Sequence, residues 1–194
     1  LAPPLISVSR KDLLPGEELR FRLGIPNDGV VALVSLGAGV INEIGDVRRF
    51  VTDAITSRGV YAVIADSLLN PGVDFLEDSR VRVIREFPIM VYRKSFDFAV
   101  IAGGYNSIHE SVFLKLPSLI IPNHSTGSDD QKNRAIFASK NGGFIVIDED
   151  DYEMLDLAIE RICDESVRDQ MIQSMTKGER IIDGSPFLAE ALFS

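Results

Sequence analysis

Apolar runs broken by glycine and proline divide the chain into short units. Val30 to Leu36 is apolar throughout except at Ser35, and it has strand length. A continuous run of this kind marks a parallel strand covered on both faces rather than one with a wet side. Comparable runs recur at 60–65, 81–84, 96–101, 118–121 and 143–147. Between them the apolar positions return every three or four residues. This spacing predicts helices over 43–57 and 106–114, then over about 150–163 and 166–177, with a further helix leading from residue 131 to about 140. A helical turn is expected near 89–94. A shorter helix, 17–23, stands between Pro15-Gly16 and Pro26-Asn27-Asp28-Gly29, and a last one follows the breaker Asp183-Gly184-Ser185-Pro186. Strands alternating with helices of this length predict the α/β class, with a doubly wound parallel, Rossmann-like sheet. Such sheets take ligands beyond the carboxyl ends of their strands, so the loops that follow strands are where chemistry is sought.

The loop after 96–101 is the most informative. The run breaks at Gly103-Gly104 and a helix follows, so the first N–H groups of that helix lack intrahelical acceptors and point beyond the strand end. Asn106 and Ser107 are placed either to cap this helix or to donate to an oxyanion. Glu110 falls one turn further on, on the same face. N–H donors for phosphate, with a carboxylate one turn away for vicinal hydroxyls, suit a phosphorylated sugar. Gly37-Ala38-Gly39, after the first strand, would let the backbone approach a diphosphate closely, although a plain tight turn would look the same. It is not a dinucleotide fingerprint, because the third glycine of that pattern would fall at Asn42.

Composition narrows the classes. The 194 residues suffice for one domain with a sizeable core, and 45% hydrophobic with 25% charged residues is ordinary for a globular protein. The net charge of −9 argues against nucleic acid and requires any phosphate to be held by local dipoles and N–H groups. One cysteine, Cys163, excludes a disulfide framework and a cysteine zinc site, fits a reducing compartment, and lies on an apolar helix face as a core residue. No run reaches the ~20 residues of a membrane span, and no signal peptide is visible. His109 reads as a structural helix residue. His124 with Asp129 and Asp130 is too loose a grouping to assign a metal, and none is assigned.

Gly103-Gly104-Tyr105-Asn106-Ser107, then Glu110, Pro122 and Asp130-Gln131, resemble the donor-site signature of nucleotide-sugar glycosyltransferases with the two-domain glycosyltransferase-B fold. The pattern is similar to the UDP-glycosyltransferase superfamily and to the bacterial peptidoglycan N-acetylglucosaminyltransferase. The resemblance runs over roughly 30–182 and implies one half of such a fold, the C-terminal, donor-binding domain. It implies a diphosphate held by Gly37, Ala38, Gly39, Gly103, Gly104, Tyr105, Asn106 and Ser107, with the ribose on Glu110. The base would rest on Phe87, Pro88 and Ile89, mainly through main-chain atoms, and the transferred sugar on Asp130 and Gln131. Relatives often carry His where this chain has Ala102, Trp where it has Tyr105, and Asn-Ala where it has Arg134-Ala135.

The implied donor is a UDP-sugar, transferred to an acceptor hydroxyl with inversion and without a cofactor. No catalytic base is assigned in this chain, since the family draws it mainly from the N-terminal acceptor domain. That domain is the implied partner, because a two-domain enzyme needs about twice this length and the chain begins at Leu1. Residues 1–29 are then a linker, 30–182 the donor domain, and 183–194 a C-terminal helix turned toward the missing half. The expected location is cytoplasmic, with membrane association only through that half or a partner. A donor-binding subunit of a two-subunit transferase, and a non-catalytic nucleotide-sugar or protein-binding module, remain the alternatives. A sugar-nucleotide 2-epimerase shares the fold, but its acidic and histidine pattern is missing.

Overall fold

Six short apolar runs assemble into one parallel sheet because each can be covered on both faces by the helices between them. A computed structural model describes residues 6–37, 42–66, 78–122, 135–136, 138–139, 143–148 and 150–177. Its strands are β1 (Val31–Ser35), β2 (Tyr61–Ala65), β3 (Val81–Ile84), β4 (Phe98–Ile101), β5 (Ser118–Ile120) and β6 (Phe144–Val146). They lie in the order β3-β2-β1-β4-β5-β6, all parallel. The helices are α1 (Gly16–Leu23), α2 (Asn42–Ser57), α3 (Tyr105–Phe113), α4 (Tyr152–Cys163) and α5 (Glu165–Lys177), with 3-10 turns at Arg10–Asp12 and Ile89–Ser95. Most boundaries fall within two residues of those predicted. The expected helices at 131–140 and after 186 lie largely or wholly outside the described residues.

Strand side chains alternate between two cores, as the period of two requires. Ala32, Val34, Ala62, Ile64 and Val100 pack against Val51 and Ile55 of α2 and Leu155, Ile159 and Ile162 of α4. Leu33, Val63, Ala99 and Ile101 face the other way, onto Leu19 of α1, Met90, Phe96 and Ile108 of α3. Each fully buried Leu or Ile contributes roughly 1.5–3 kcal/mol.

Residues 6–29, expected as a linker, are built into this second core through Val8, Leu19 and Ile25. Arg20 makes the tie. Its guanidinium donates to the carbonyls of Pro26, Asn27 and Gly29 and pairs with Asp97 at 3.0 Å. The same Asp97 oxygen accepts from the Val31 N–H at 2.7 Å, locking the starts of β1 and β4 together.

The sheet order places the ligand crevice. Connections from β1 run to β2 on one side, while β4 opens the other half, so the order reverses between β1 and β4. Ligands of doubly wound sheets sit beyond the strand ends at such a switch point. Ser35 is paired with Ile101, so the loops opening at Leu36 and Ala102 leave the sheet side by side, about 4.8 Å apart.

Candidate functional site

Both loops have a glycine in the left-handed region as their second residue, Gly37 at φ 83° and Gly103 at φ 75°. A side chain at either position would be strained, and its absence lets the backbone turn sharply off the sheet. Gly104 is the N-cap of α3 and has no side chain to offer the helix N–H groups. The helix starts at Tyr105, one residue earlier than predicted. Asn106 and Ser107 therefore stand in its first turn rather than capping it, and an anion above β4 would meet the helix start directly. Tyr105 is 39% exposed, its ring edge-on to His109 at 4.4 Å between centroids.

Glu110 follows one turn later and already has a partner. Its Oε1 accepts from the Ser7 N–H at 2.8 Å. Arg10 fastens the same segment by donating to the Phe113 carbonyl at 2.6 Å, its guanidinium 4.8 Å from the centre of the Phe113 ring. Residues 7–10 thus run along α3. A carboxylate oxygen accepts more than one hydrogen bond, so this contact leaves Glu110 able to take a ligand hydroxyl. Arg93 holds the far end of α3 through the carbonyls of Leu114 and Lys115. Burial pushes that guanidinium down to about 10, against the pull of Asp97.

At the turn expected to meet the base through main-chain atoms, the ring of Phe87 is 91% exposed. Glu86 is bound to Arg22 of α1 and accepts from the Tyr92 hydroxyl. The Tyr92 hydrogen bond, then that from Arg22, holds the Glu86 carboxyl below its ordinary range. Pro88 and Ile89 are half-buried at the start of the 3-10 turn, so the two residues after Phe87 are anchored while its ring stands free in solvent.

Sequence reasoning missed Arg48. It is 4% exposed on α2 and donates to the Gly37 carbonyl at 3.1 Å, directly behind the first glycine loop. A signal existed, because Arg48 stands in phase with Val51 and Ile55 on the buried stripe of an otherwise amphipathic helix. Ala38, Gly39, Asp130, Gln131 and His124 lie outside the described residues. Cys163 is half-buried against the α2–α4 core, and burial pushes its thiol up. Among the described residues no cluster of three or more His, Cys, Asp or Glu is placed to hold a metal ion. No described helix is long and apolar enough to cross a membrane.

Comparison with known proteins agrees with this architecture. The spinosyn rhamnosyltransferase SpnG, solved with thymidine diphosphate, superposes with a TM-score of 0.63 at 19% identity, over 87% of this chain and 46% of that one. A glycotransferase of kitacinnamycin gives 0.66 at 21% identity, over 86% and 43%. MurG of Acinetobacter baumannii gives 0.62 at 12% identity, over 89% and 52%. At such identities the likeness establishes the fold, one half of a glycosyltransferase-B architecture. The chain spans about half the length of these structures. No curated protein matches the sequence. The family model described as the glycosyltransferase family 28 C-terminal domain matches residues 88–184, which include the Phe87-flanking turn, β4, the glycine pair and Glu110, and the chain belongs to that family.

Proposed function

We propose that this chain is the donor-binding half of a glycosyltransferase that takes a nucleoside diphospho-sugar, with a UDP-sugar as the expected donor. The observation that carries the reading is the pairing of two left-handed glycine loops at the β1/β4 switch point with an uncapped-by-side-chain helix start and Glu110 one turn away. In this reading Gly37, Gly103, Gly104 and the first turn of α3 bind the diphosphate, Glu110 accepts from the ribose hydroxyls, and the Phe87 ring stacks on the base. Asp130 and Gln131 hold the transferred sugar. SpnG, a structural neighbour, is solved in complex with thymidine diphosphate, which supports a pyrimidine nucleotide as the ligand.

The chemistry that follows is direct displacement at the anomeric carbon by an acceptor hydroxyl, with inversion. Charge builds on the departing diphosphate, and preorganised helix N–H groups stabilise it where it develops. The acceptor and the general base come from a partner half, so the isolated chain binds donor and turns over poorly.

Calorimetric titration with UDP, thymidine diphosphate and ADP tests the reading. Binding of a pyrimidine diphosphate, with a loss of about 1–3 kcal/mol in Glu110→Ala, is expected from unmade hydroxyl hydrogen bonds. Wild-type protein that binds none of the three, or a Glu110→Ala variant with unaltered affinity, would remove the crevice or the ribose role respectively.

A further inference from the structure

The buried and half-buried arginines among the described residues are compensated unequally. Arg20 donates to three carbonyls and pairs with Asp97. Arg93 donates to the carbonyls of Phe96, Leu114 and Lys115. Arg168 donates to those of Ile162 and Cys163 and lies 6.0 Å from the centre of the Phe98 ring. Each of these cations closes a joint between structural elements. Arg48 is more deeply buried than Arg20 or Arg168, yet among the described residues it meets a single acceptor, the Gly37 carbonyl, and no carboxylate.

A guanidinium carries five N–H donors, and burying its charge is costly unless an opposite charge or a full set of acceptors is supplied. One carbonyl does not supply it. That carbonyl belongs to the loop that opens the crevice, so the guanidinium, which has no counter-charge among the described residues, reaches the crevice side of the molecule. The chain as a whole carries a net charge of −9 and provides no positive field to attract an anion there.

We propose that Arg48 is a positioning residue for the diphosphate of the donor: from behind the Gly37 loop it holds the Gly37 carbonyl oxygen and supplies the buried positive charge that the diphosphate neutralises. The proposal rests on the crevice reading above and extends it to a residue outside the glycine loops. Two effects act in the same direction. The hydrogen bond keeps the negative end of the Gly37 peptide against a cation rather than against a bound phosphate. The charge acts through a region that excludes most water, where screening is weaker than at the surface.

The test compares UDP with uridine, which lacks the diphosphate, in wild-type protein and in Arg48→Met, Arg48→Gln and Arg48→Lys. Thermal unfolding confirms that each variant is folded. Arg48→Met is expected to lose about tenfold in UDP affinity with uridine affinity unchanged. Arg48→Gln can still donate to the Gly37 carbonyl but lacks charge, and it is the variant best suited to fold. It too should lose several-fold for UDP alone, and its UDP affinity should fall less with added salt than that of wild type. Arg48→Lys keeps the charge and should recover most of the difference. A folded Arg48→Gln variant with the wild-type ratio of UDP to uridine affinity overturns the proposal and leaves the crevice reading standing. A wild-type protein that binds uridine and UDP equally overturns both.

Discussion

Phe87 and Glu86 are neighbours with opposite fates. Glu86 is tied to Arg22 and Tyr92, whereas the Phe87 ring is 91% exposed and touches little of its own molecule. An aromatic side chain left bare beside an anchored carboxylate and a half-buried proline is placed to stack on something flat. Base–aromatic stacking is worth roughly 1–3 kcal/mol, so Phe87→Ala should weaken UDP by about tenfold or more while Phe87→Tyr stays near wild type. Titration of both variants with UDP checks this, and equal affinity in all three would free Phe87 of the role. The sequence marked this turn but not the ring, because Glu86-Phe87-Pro88 states what the residues are and not which one the fold leaves uncovered. The place of Glu110 one turn into the helix was legible through its spacing from Gly104, but its bond to Ser7 was not. That contact joins residues 103 positions apart, and no local periodicity encodes it.

Among the elements, α1 and the 3-10 turn at 89–95 are joined at the surface through Arg22, Glu86 and Tyr92. Since the Glu86 carboxyl is held below its ordinary range, the unfolded chain binds its proton first as pH falls. Its stabilising contribution is therefore fully present above the ordinary carboxylate pKa of about 4.3 and fades as pH drops through the lowered value. Both side chains of the ion pair are more than 40% exposed, so the effect is under about 1 kcal/mol. Urea unfolding at about pH 6 and about pH 3 should show a smaller acid loss in Glu86→Gln than in wild type. Equal losses would mean that other carboxylates govern the acid limb. The long elements were legible because α2, α4 and the six strands carry strong apolar patterns. The stretch before β1 was not, because its buried positions, Ile6, Val8, Leu19 and Ile25, are too few and too scattered to sustain a helix or strand period, and Pro15 and Pro26 give it the look of a connector.

For the molecule as a whole, the crevice sits at one end of β1 and β4 and the Arg20–Asp97 lock at the other. Arg20 is 11% exposed along its side chain and Asp97 34%. Removing the carboxylate leaves a mostly buried cation with carbonyls alone and leaves the Val31 N–H without its acceptor. Asp97→Ala should lower stability by about 1–3 kcal/mol, reduced from a fully buried pair by the exposure of Asp97. Urea denaturation measures this, and a change below about 0.5 kcal/mol, ordinary for a surface substitution, would show that the lock is ornamental. The architecture was legible at this scale: alternation of strands and helices predicts the doubly wound sheet, and the glycine breaks predict which loops line its open end. The order of the strands was not, since it is fixed by long-range packing such as that of Asp97 on Val31.

The bond from the Ser7 amide to Glu110 has a consequence that is thermodynamic rather than geometric. One carboxylate serves both the segment along α3 and, in the proposed reading, a ligand hydroxyl. Linkage between the two must then be reciprocal. If a nucleotide on Glu110 tightens or loosens residues 7–10 by some factor, then whatever pulls on or braces those residues changes nucleotide affinity by the same factor. The segment that leads into the domain is in this sense an effector of the domain's own ligand.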